Sequence, residues 1–482
     1  MTRQTKSRAK RRVDAYPLSP LQQGMLYHTL AGREPGVDVE QVYCELGGPP
    51  DAAVLAEAWR IVVERHEILR TCFDWPAGGE PRQMVLPASE VNCAVREISW
   101  GAGVPDGPGS YLEADRRESF DLAVAPPWRL ALVQPAEGRR WLVFTFHHVL
   151  LDGRALAAVL RETFDLADAL AAGGQPAPAP AHRYRDYIDW LQALDWTRAE
   201  KYWREQLRGF TQATPLPFPP PADALAVAAG TELRHEVELR FDAAATARLH
   251  AAARRHDVTL NTLVQAAWAV TLGRHGGERD VVFGAVRACR HIPIEGAGST
   301  VGLFINTVPV RVRLEPDGEL GPWLQDLREQ WLALRDHEHA PLAKVQQWSE
   351  VPAGQPLFET LVNFQEPSWD AALRALGGKW LDRRFAIRSQ PNFPLAVDAY
   401  GGAELVIKLL HDRRRVADEA AVRLLGHYRT VLEAMTDDAP PRLGDLPLLT
   451  PAETRQVLVE WNHTTEEFPR ARCVHQFFEA RA

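Results

Sequence analysis

The chain has 482 residues, 46% of them hydrophobic and 24% charged, with a formal net charge of −8 at pH 7. That length exceeds one ordinary core and predicts two or three lobes, while the negative balance argues against nucleic acid as the main partner. Five scattered cysteines (Cys44, Cys72, Cys93, Cys289, Cys473) with no CxxC spacing argue against a disulfide frame or a zinc site and fit a reducing, cytoplasmic setting, and no apolar run reaches the ~18 residues of a membrane span.

Residues 1–14 carry Arg3, Lys6, Arg8, Lys10, Arg11 and Arg12 among few apolar residues, the composition of a solvated, disordered tail. No apolar segment follows it, as a signal peptide would require. Tyr16 to Leu30 reads YPLSPLQQGMLYHTL. Ser19, Pro20 and Gln22 predict a helix start with a capping box. Asp51, after two prolines, is a predicted cap for a helix with an apolar stripe of Val54, Leu55, Ala58, Trp59 and Val62. That helix runs into Arg65-His66-Glu67-Ile68-Leu69-Arg70-Thr71 and a strand at Cys72-Phe73.

The next stretch, WLVFTFHHVLLDG from Trp141 to Gly153, carries the strongest chemical signal. Trp141 to Phe146 predicts a buried strand. It delivers His147 and His148, which strand alternation sends to opposite faces, so at most one of them faces a given cavity. Asp152 and Gly153 follow, Gly153 permitting a sharp turn. Arg154 to Ala172 then predicts a helix with Leu156, Val159, Leu160 and Phe164 on its apolar face. A histidine at a strand end is more often structural than a base. A paired histidine followed four residues later by Asp-Gly is a sharper signal.

Gly173 to Pro180 (GGQPAPAP) predicts a semi-rigid linker and so a lobe boundary. Tyr184-Arg185-Asp186-Tyr187 follows, with Trp190 further on, and its aromatics are expected to pack rather than to bind. A second proline-rich connection spans Pro215 to Pro221, and a second α/β lobe is expected from Phe241. Its predicted elements are helices over Ala244–Arg255 and Asn261–Arg274, a strand over Val281–Val286, a loop entering a strand at VGLFINTVPVRV (Val301 to Val312), a core helix through Leu320–Leu334 and a last helix over Ala417–Met435. Asn306 and Thr307 could simply bond locally. His337 and His339 lack a third metal ligand spaced nearby, so no metal site is expected.

Five of these stretches resemble, in order, signatures of the condensation domains of non-ribosomal peptide synthetases. They are the Ser-Pro-Leu-Gln-Gln-Gly string, RHExLRTxF, HHxxxDG at His147–Gly153, YxDYxxW, and VGxFxNT at Val301–Thr307. His337-Glu338-His339 partly matches a sixth. The seventh is altered to SQPNFPL (Ser389 to Leu395). The resemblance implies an α/β fold of two chloramphenicol-acetyltransferase-like lobes in a V, with the His motif at their junction. It implies residues 15–175 and 176–450 as the lobes, and 451–482 as a linker and the start of an adenylation domain.

The implied activity is acyl transfer. The amine of an acceptor aminoacyl thioester attacks a donor thioester, both held on phosphopantetheine arms of upstream and downstream carrier proteins. The domain itself would bind no cofactor or metal. The resemblance makes His148 the catalytic position, and strand alternation leaves His147 facing the other way as a packing or hydrogen-bonding residue. Asp152 would pair with an arginine of the second signature, Arg65 or Arg70. It places Gly302, Asn306 and Thr307 near the substrate tunnel. Gln22-Gln23-Gly24-Met25 is closer to subtypes that take a D-configured donor. The alternatives are a stand-alone acyltransferase using coenzyme A or a carrier, and a non-catalytic recruitment domain of the same fold.

Overall fold

The computed structural model of the protein describes residues 14–32, 36–46, 52–100, 109–135, 140–174, 181–221, 233–381, 383–437, 442–464 and 472–482. The expected N-terminal tail, the Asp51 cap and most of the 173–180 linker lie outside the described residues.

In chain order the first half runs β1 (Asp14–Pro17), α1 (Pro20–Leu30), β2 (Val39–Leu46), α2 (Ala52–Arg65), β3 (Thr71–Asp74), β4 (Arg82–Val85), β5 (Val95–Trp100), α3 (Gly109–Arg117), β6 (Trp128–Pro135), β7 (Arg140–His147) and α4 (Gly153–Ala171). Two connecting helices follow, α5 (Tyr184–Gln192) and α6 (Thr197–Gln206). The second half runs β8 (Arg234–Phe241), α7 (Ala243–Arg255), α8 (Leu260–Gly276), β9 (Asp280–Arg287), β10 (Asn306–Arg313), α9 (Leu320–Ala333), α10 (Leu342–Trp348), β11 (Thr360–Gln365), α11 (Trp369–Arg374), β12 (Phe385–Arg388), β13 (Leu395–Tyr400), β14 (Leu405–Asp412) and α12 (Asp418–Ala434).

Two large cores organise these elements. The first packs α2 and α4 on one face of a five-stranded sheet of order β12-β2-β7-β6-β5. The amphipathic stripe of α4 (Leu156, Val159, Leu160, Phe164) meets that of α2 (Leu55, Trp59, Val62) there, as the helical spacing requires. The second core packs α7, α8 and α12 on a six-stranded sheet of order β10-β9-β11-β13-β14-β8. Helix α8 is buried from Leu260 to Gly273 apart from Asn261, so its apolar residues surround it instead of forming a stripe.

The late segment returns to the first core. Strand β12 pairs antiparallel with β2, Phe385 opposite Cys44 and Arg388 opposite Gln41. Trp369, Leu373 and Trp380 join the same core. The two cores are thus stitched together around the end of β7, where the paired histidines lie.

Two local expectations meet the structure differently. Ser19 accepts from the Gln22 backbone N–H and the Gln22 side chain accepts from Ser19 N–H, the expected capping box. Gly153 makes no left-handed turn. It is the first residue of α4, and a Cβ there would meet Gln365 and Trp369 only at 3.9 Å, an ordinary contact. The chain turns at His148–Leu150 instead, where Leu150 N–H bonds to His147 O, and Asp152 caps the helix.

Beyond α12 lie α13 (Pro451–Arg455) and α14 (Val474–Glu479). Leu458, Trp461, Val474 and Phe478 are 66%, 68%, 85% and 77% exposed, so the end of the tail adds little to either core. Deleting residues 463–482 is expected to leave the thermal midpoint within a few degrees of the full chain. A large loss in differential scanning calorimetry would contradict this.

Candidate active site

Strand β7 ends at His147, and the backbone then turns under two hydrogen bonds. His148 N–H donates to Asp38 O at 2.7 Å, and Leu150 N–H donates to His147 O at 3.1 Å. Asp38 holds a left-handed φ of 59° as it presents that carbonyl, a conformation Asp tolerates better than most residues.

The two histidines have separate surroundings, as alternation predicts. His147 is 2% exposed. Val149 N–H donates to its Nδ1 at 3.1 Å, so the proton sits on Nε2, which donates to Thr29 Oγ1 at 3.0 Å. Thr29 in turn donates to Met25 O. Burial pushes the imidazole down to about 4, against weaker opposition from Asp38. His147 is a neutral strut between β7 and α1.

His148 is only partly buried. Its Nδ1 lies 2.7 Å from Leu151 O. A carbonyl only accepts, so Nδ1 carries the proton and Nε2 is left with its lone pair. The loop therefore fixes both ring orientation and tautomer, the condition for a general base or an orienting acceptor.

Asp152 supplies the architecture. It caps α4 by accepting from Ala155 N–H at 2.8 Å and also accepts from Phe304 N–H at 3.0 Å. Its charge is met by Arg290, whose Nη2 lies 2.9 and 2.8 Å from the two carboxylate oxygens. Both side chains are almost fully buried, at 2% and 5% exposed. Arg290 Nη1 donates to Ala297 O and Thr300 O at 2.9 Å each, and the guanidinium lies 4.1 Å from the Phe304 ring centroid. This corrects the expected pairing with Arg65 or Arg70. Arg65 pairs with Glu162 at 2.5 Å, and Arg70 donates to Leu86 O at 2.7 Å. Each is engaged by a partner of its own and does not reach Asp152. Arg290 escapes sequence reasoning because it lies 138 residues from Asp152 in a stretch with no periodic pattern. Its one signal is a charge ahead of the largely apolar and small-residue segment Ile292 to Gly302.

The remaining signature residues also hold the loops. Gly302 O lies 3.4 Å from Asp152 N and 3.5 Å from Arg290 Nη2. A Cβ on Gly302 would stand 2.2 Å from the Tyr184 ring, so the glycine lets α5 close on this loop. Tyr184 OH donates to Leu303 O at 2.6 Å, and Tyr187 stacks on Phe304 at 4.3 Å, the packing role expected of these aromatics. Asn306 spends its amide on Glu338 O and Ala340 O at 2.8 and 2.9 Å. Thr307 is buried in β10 opposite Val286. These three tether and pack around the junction.

Two side-chain groups approach metal-ligand spacing among the described residues: Cys289, Glu338 and His339, and His235, His411 and Asp418. In each the carboxylate is already engaged by an arginine. Arg287 lies 2.6 Å from Glu338, and Arg413 lies 2.8 Å from Asp418. His337 stacks on Tyr202 at 4.1 Å. A cleft of about 330 Å³ lined by Arg96, Glu118 and Phe120 lies at the β5 edge, and neither His147 nor His148 lines it.

Comparison with known proteins comes from sequence and from fold. The sequence profile named "Condensation domain" matches residues 12–458. Over 478 residues the chain is 40% identical to one of the linear gramicidin synthase proteins of Brevibacillus parabrevis, covering 97% of this chain and 6% of that protein. It is 31% identical over 475 residues to bacitracin synthase 3 of Bacillus licheniformis, covering 97% of this chain and 7% of that protein. The chain therefore spans a small part of these relatives' length. Among solved structures, the first condensation domain of the calcium-dependent antibiotic synthetase, in complex with a substrate analogue, superposes with a TM-score of 0.75 at 18% identity. That match covers 91% of this chain and 100% of that one. The X-domain from teicoplanin biosynthesis superposes at 0.73 with 25% identity, covering 92% and 99%.

Proposed function

Because the chain belongs to the condensation-domain family of non-ribosomal peptide synthetases, we propose that it forms an amide between two carrier-bound substrates. The donor is an acyl or peptidyl thioester, and the nucleophile is the amine of an acceptor aminoacyl thioester. The observation that carries this reading is the His148 ring. Its proton is held on Nδ1 by Leu151 O, and Nε2 is left open where the two cores meet.

The chemistry asks little more. A thioester is already activated, and a neutral amine is a competent nucleophile. The protein must bring the two together, which well-oriented reactions show to be the larger contribution. The His148 Nε2 lone pair accepts a hydrogen bond from the attacking N–H and takes the proton as the C–N bond forms; the donor C–S bond then breaks, and the proton passes to the departing thiolate of the donor arm. Asp152 and Arg290 act through the loop they hold. The substrates would arrive on phosphopantetheine arms, which makes upstream and downstream carrier proteins the partners. Residues 15–175 and 176–450 would form the two lobes, and 451–482 would lead into an adenylation domain. No described helix is long and apolar enough to cross a membrane.

A test separates this from a stand-alone acyltransferase. The same acyl group is offered on a carrier protein and on coenzyme A, with the acceptor on its own carrier. The carrier-borne donor is expected to be used far more efficiently. Equal use of coenzyme A and of a free amine acceptor would favour the stand-alone reading. The intact His148 loop speaks against a non-catalytic domain and does not separate the carrier-fed reading from the stand-alone one.

Donor configuration follows from the Gln22-Gln23-Gly24-Met25 resemblance. Gln22 itself is buried, and its amide donates to Val149 O at 3.0 Å in the His loop. With both epimers of one peptidyl donor, the D epimer is expected to react faster. Equal rates or an L preference would reject the assignment.

A further inference from the structure

Glu40 is the second residue of β2, and with Val42 it points to the apolar face of the first sheet, while Gln41 bonds to Asp115 behind it. It is 5% exposed. Six acidic side chains among the described residues are this deeply buried: Asp38, Glu40, Asp115, Asp152, Glu338 and Asp412. Five have a basic side chain as partner. Asp38 meets His28, Asp115 meets Arg129, Asp152 meets Arg290, Glu338 meets Arg287, and Asp412 meets Arg414. Glu40 has only a neutral one, the Ser389 hydroxyl, which donates to its Oε2. A buried carboxylate without a cation is costly, and such groups concentrate at functional sites.

Its setting is the reaction junction. Next to Glu40, Val39 is the ladder partner of His147, and two residues before it Asp38 O holds His148 N–H. Burial raises the Glu40 carboxyl above its ordinary range, with His148 the largest influence in the other direction, followed by Ser389 and then Arg116. Arg116 is bonded to Gln41, Gln390 and the Arg388 carbonyl.

The second sheet supplies a counterpart. In β13, Leu395, Val397 and Ala399 enter the second core, so Asp398 and Tyr400 lie on the opposite face. Asn363 donates to Asp398 at 3.1 Å. Lys408, the ladder partner of Asp398, has its ammonium 2.8 Å from Glu236. Burial pushes Asp398 up to about 6, and the charge of Glu40 adds to the rise. The same sheet face carries Gln365, whose side chain stands 3.9 Å from where a Cβ on Gly153 would be. This face therefore lies against the loop that carries His148.

We propose that Glu40, with Asp398 across the junction, binds the α-ammonium of the acceptor and takes one of its protons, freeing the neutral amine for attack, and so selects acceptors with a charged, basic nitrogen. The cation missing from the Glu40 carboxylate is supplied by the substrate. This inference rests on the condensation reading and adds to it the residue that recognises the nucleophile.

The test uses the full chain, a donor on its carrier, and two acceptors built on pantetheine. One is an alanyl acceptor bearing an ammonium, and the other is its aminooxyacetyl counterpart, whose nucleophilic nitrogen is neutral at pH 7. The ratio of kcat/KM for the amine over the aminooxy acceptor is expected to fall at least about tenfold in Glu40→Gln, mostly through KM. Asp398→Asn should lower the same ratio. An unchanged ratio overturns the proposal, as does an equal loss with both nucleophiles together with a lower melting temperature. Should Glu40→Gln fail to fold, inhibition of the wild type decides. An alanyl-pantetheine amide must then bind at least about tenfold more tightly than its des-amino propionyl counterpart, and equal binding overturns the proposal. If the wild type condenses neither acceptor, the condensation reading itself falls.

Discussion

Replacing His148 with alanine is expected to lower single-turnover condensation by roughly 10²- to 10⁴-fold, with little change in melting temperature. The ring is partly exposed, and its one hydrogen bond among the described residues is Nδ1–H to Leu151 O. Losing it removes no core contact comparable to those of Val149, Leu150 and Leu151, which are all fully buried. The backbone bond from His148 N–H to Asp38 O survives the substitution. The loop should therefore keep its shape and lose the group that meets the amine. A variant near full rate on its natural substrates would show that positioning alone carries the reaction. Replacing His147 instead should lower stability first, because it leaves the Val149 N–H unpaired in a buried site.

Asp152→Ala is expected to cost about 3–5 kcal/mol of folding stability and to lower activity as well. The substitution strands Arg290, which is 5% exposed. It also removes the α4 cap and the acceptor for Phe304 N–H. Arg290→Ala should cost a similar amount, because it leaves the Asp152 carboxylate buried without a cation. The two losses should not add. With both partners gone, neither charge is left stranded, so the double variant should be far less destabilised than the sum. Denaturant unfolding of the three variants measures this directly. An Asp152→Ala protein that unfolds like the parent yet is inactive would assign the aspartate a direct chemical role.

Much of this arrangement is legible in the sequence because it is local. Period-2 and period-3.6 patterns locate β7, α4, α8 and α12, and the Ser-Pro-x-Gln spacing predicts the α1 capping box that the structure shows. That His147 and His148 face different surroundings follows from strand alternation alone, whereas the catalytic assignment of His148 comes from the family resemblance. The Gly153 turn is misplaced because an Asp-Gly pair suits a turn and a helix start equally well. Only the Asp152 cap, accepting from Ala155 N–H, distinguishes them.

What depends on distant contacts is not legible. Arg65 and Arg70 are plausible partners for Asp152 by motif, yet each has another partner, and the buried carboxylate takes Arg290 from a loop in the second half. The return of β12 to the first sheet has no local signal either, since Phe385–Arg388 is too short to show a period. Glu40 is one of three acids in the mixed stretch Asp38–Leu46, DVEQVYCEL, and nothing local singles it out. Its lack of a cation becomes meaningful only when the other buried acids are seen with their basic partners.

The central claim is that this chain moves an acyl group from one carrier to the amine on another. The most direct measurement is intact-protein mass spectrometry of both carriers through a single turnover. The account predicts that the acceptor carrier gains the mass of the donor acyl group as the donor carrier loses it, and that the gain survives alkaline conditions that cleave oxygen esters but not amides once the product is released from its arm. A donor carrier that empties to water while the loaded acceptor keeps its original mass would contradict the account.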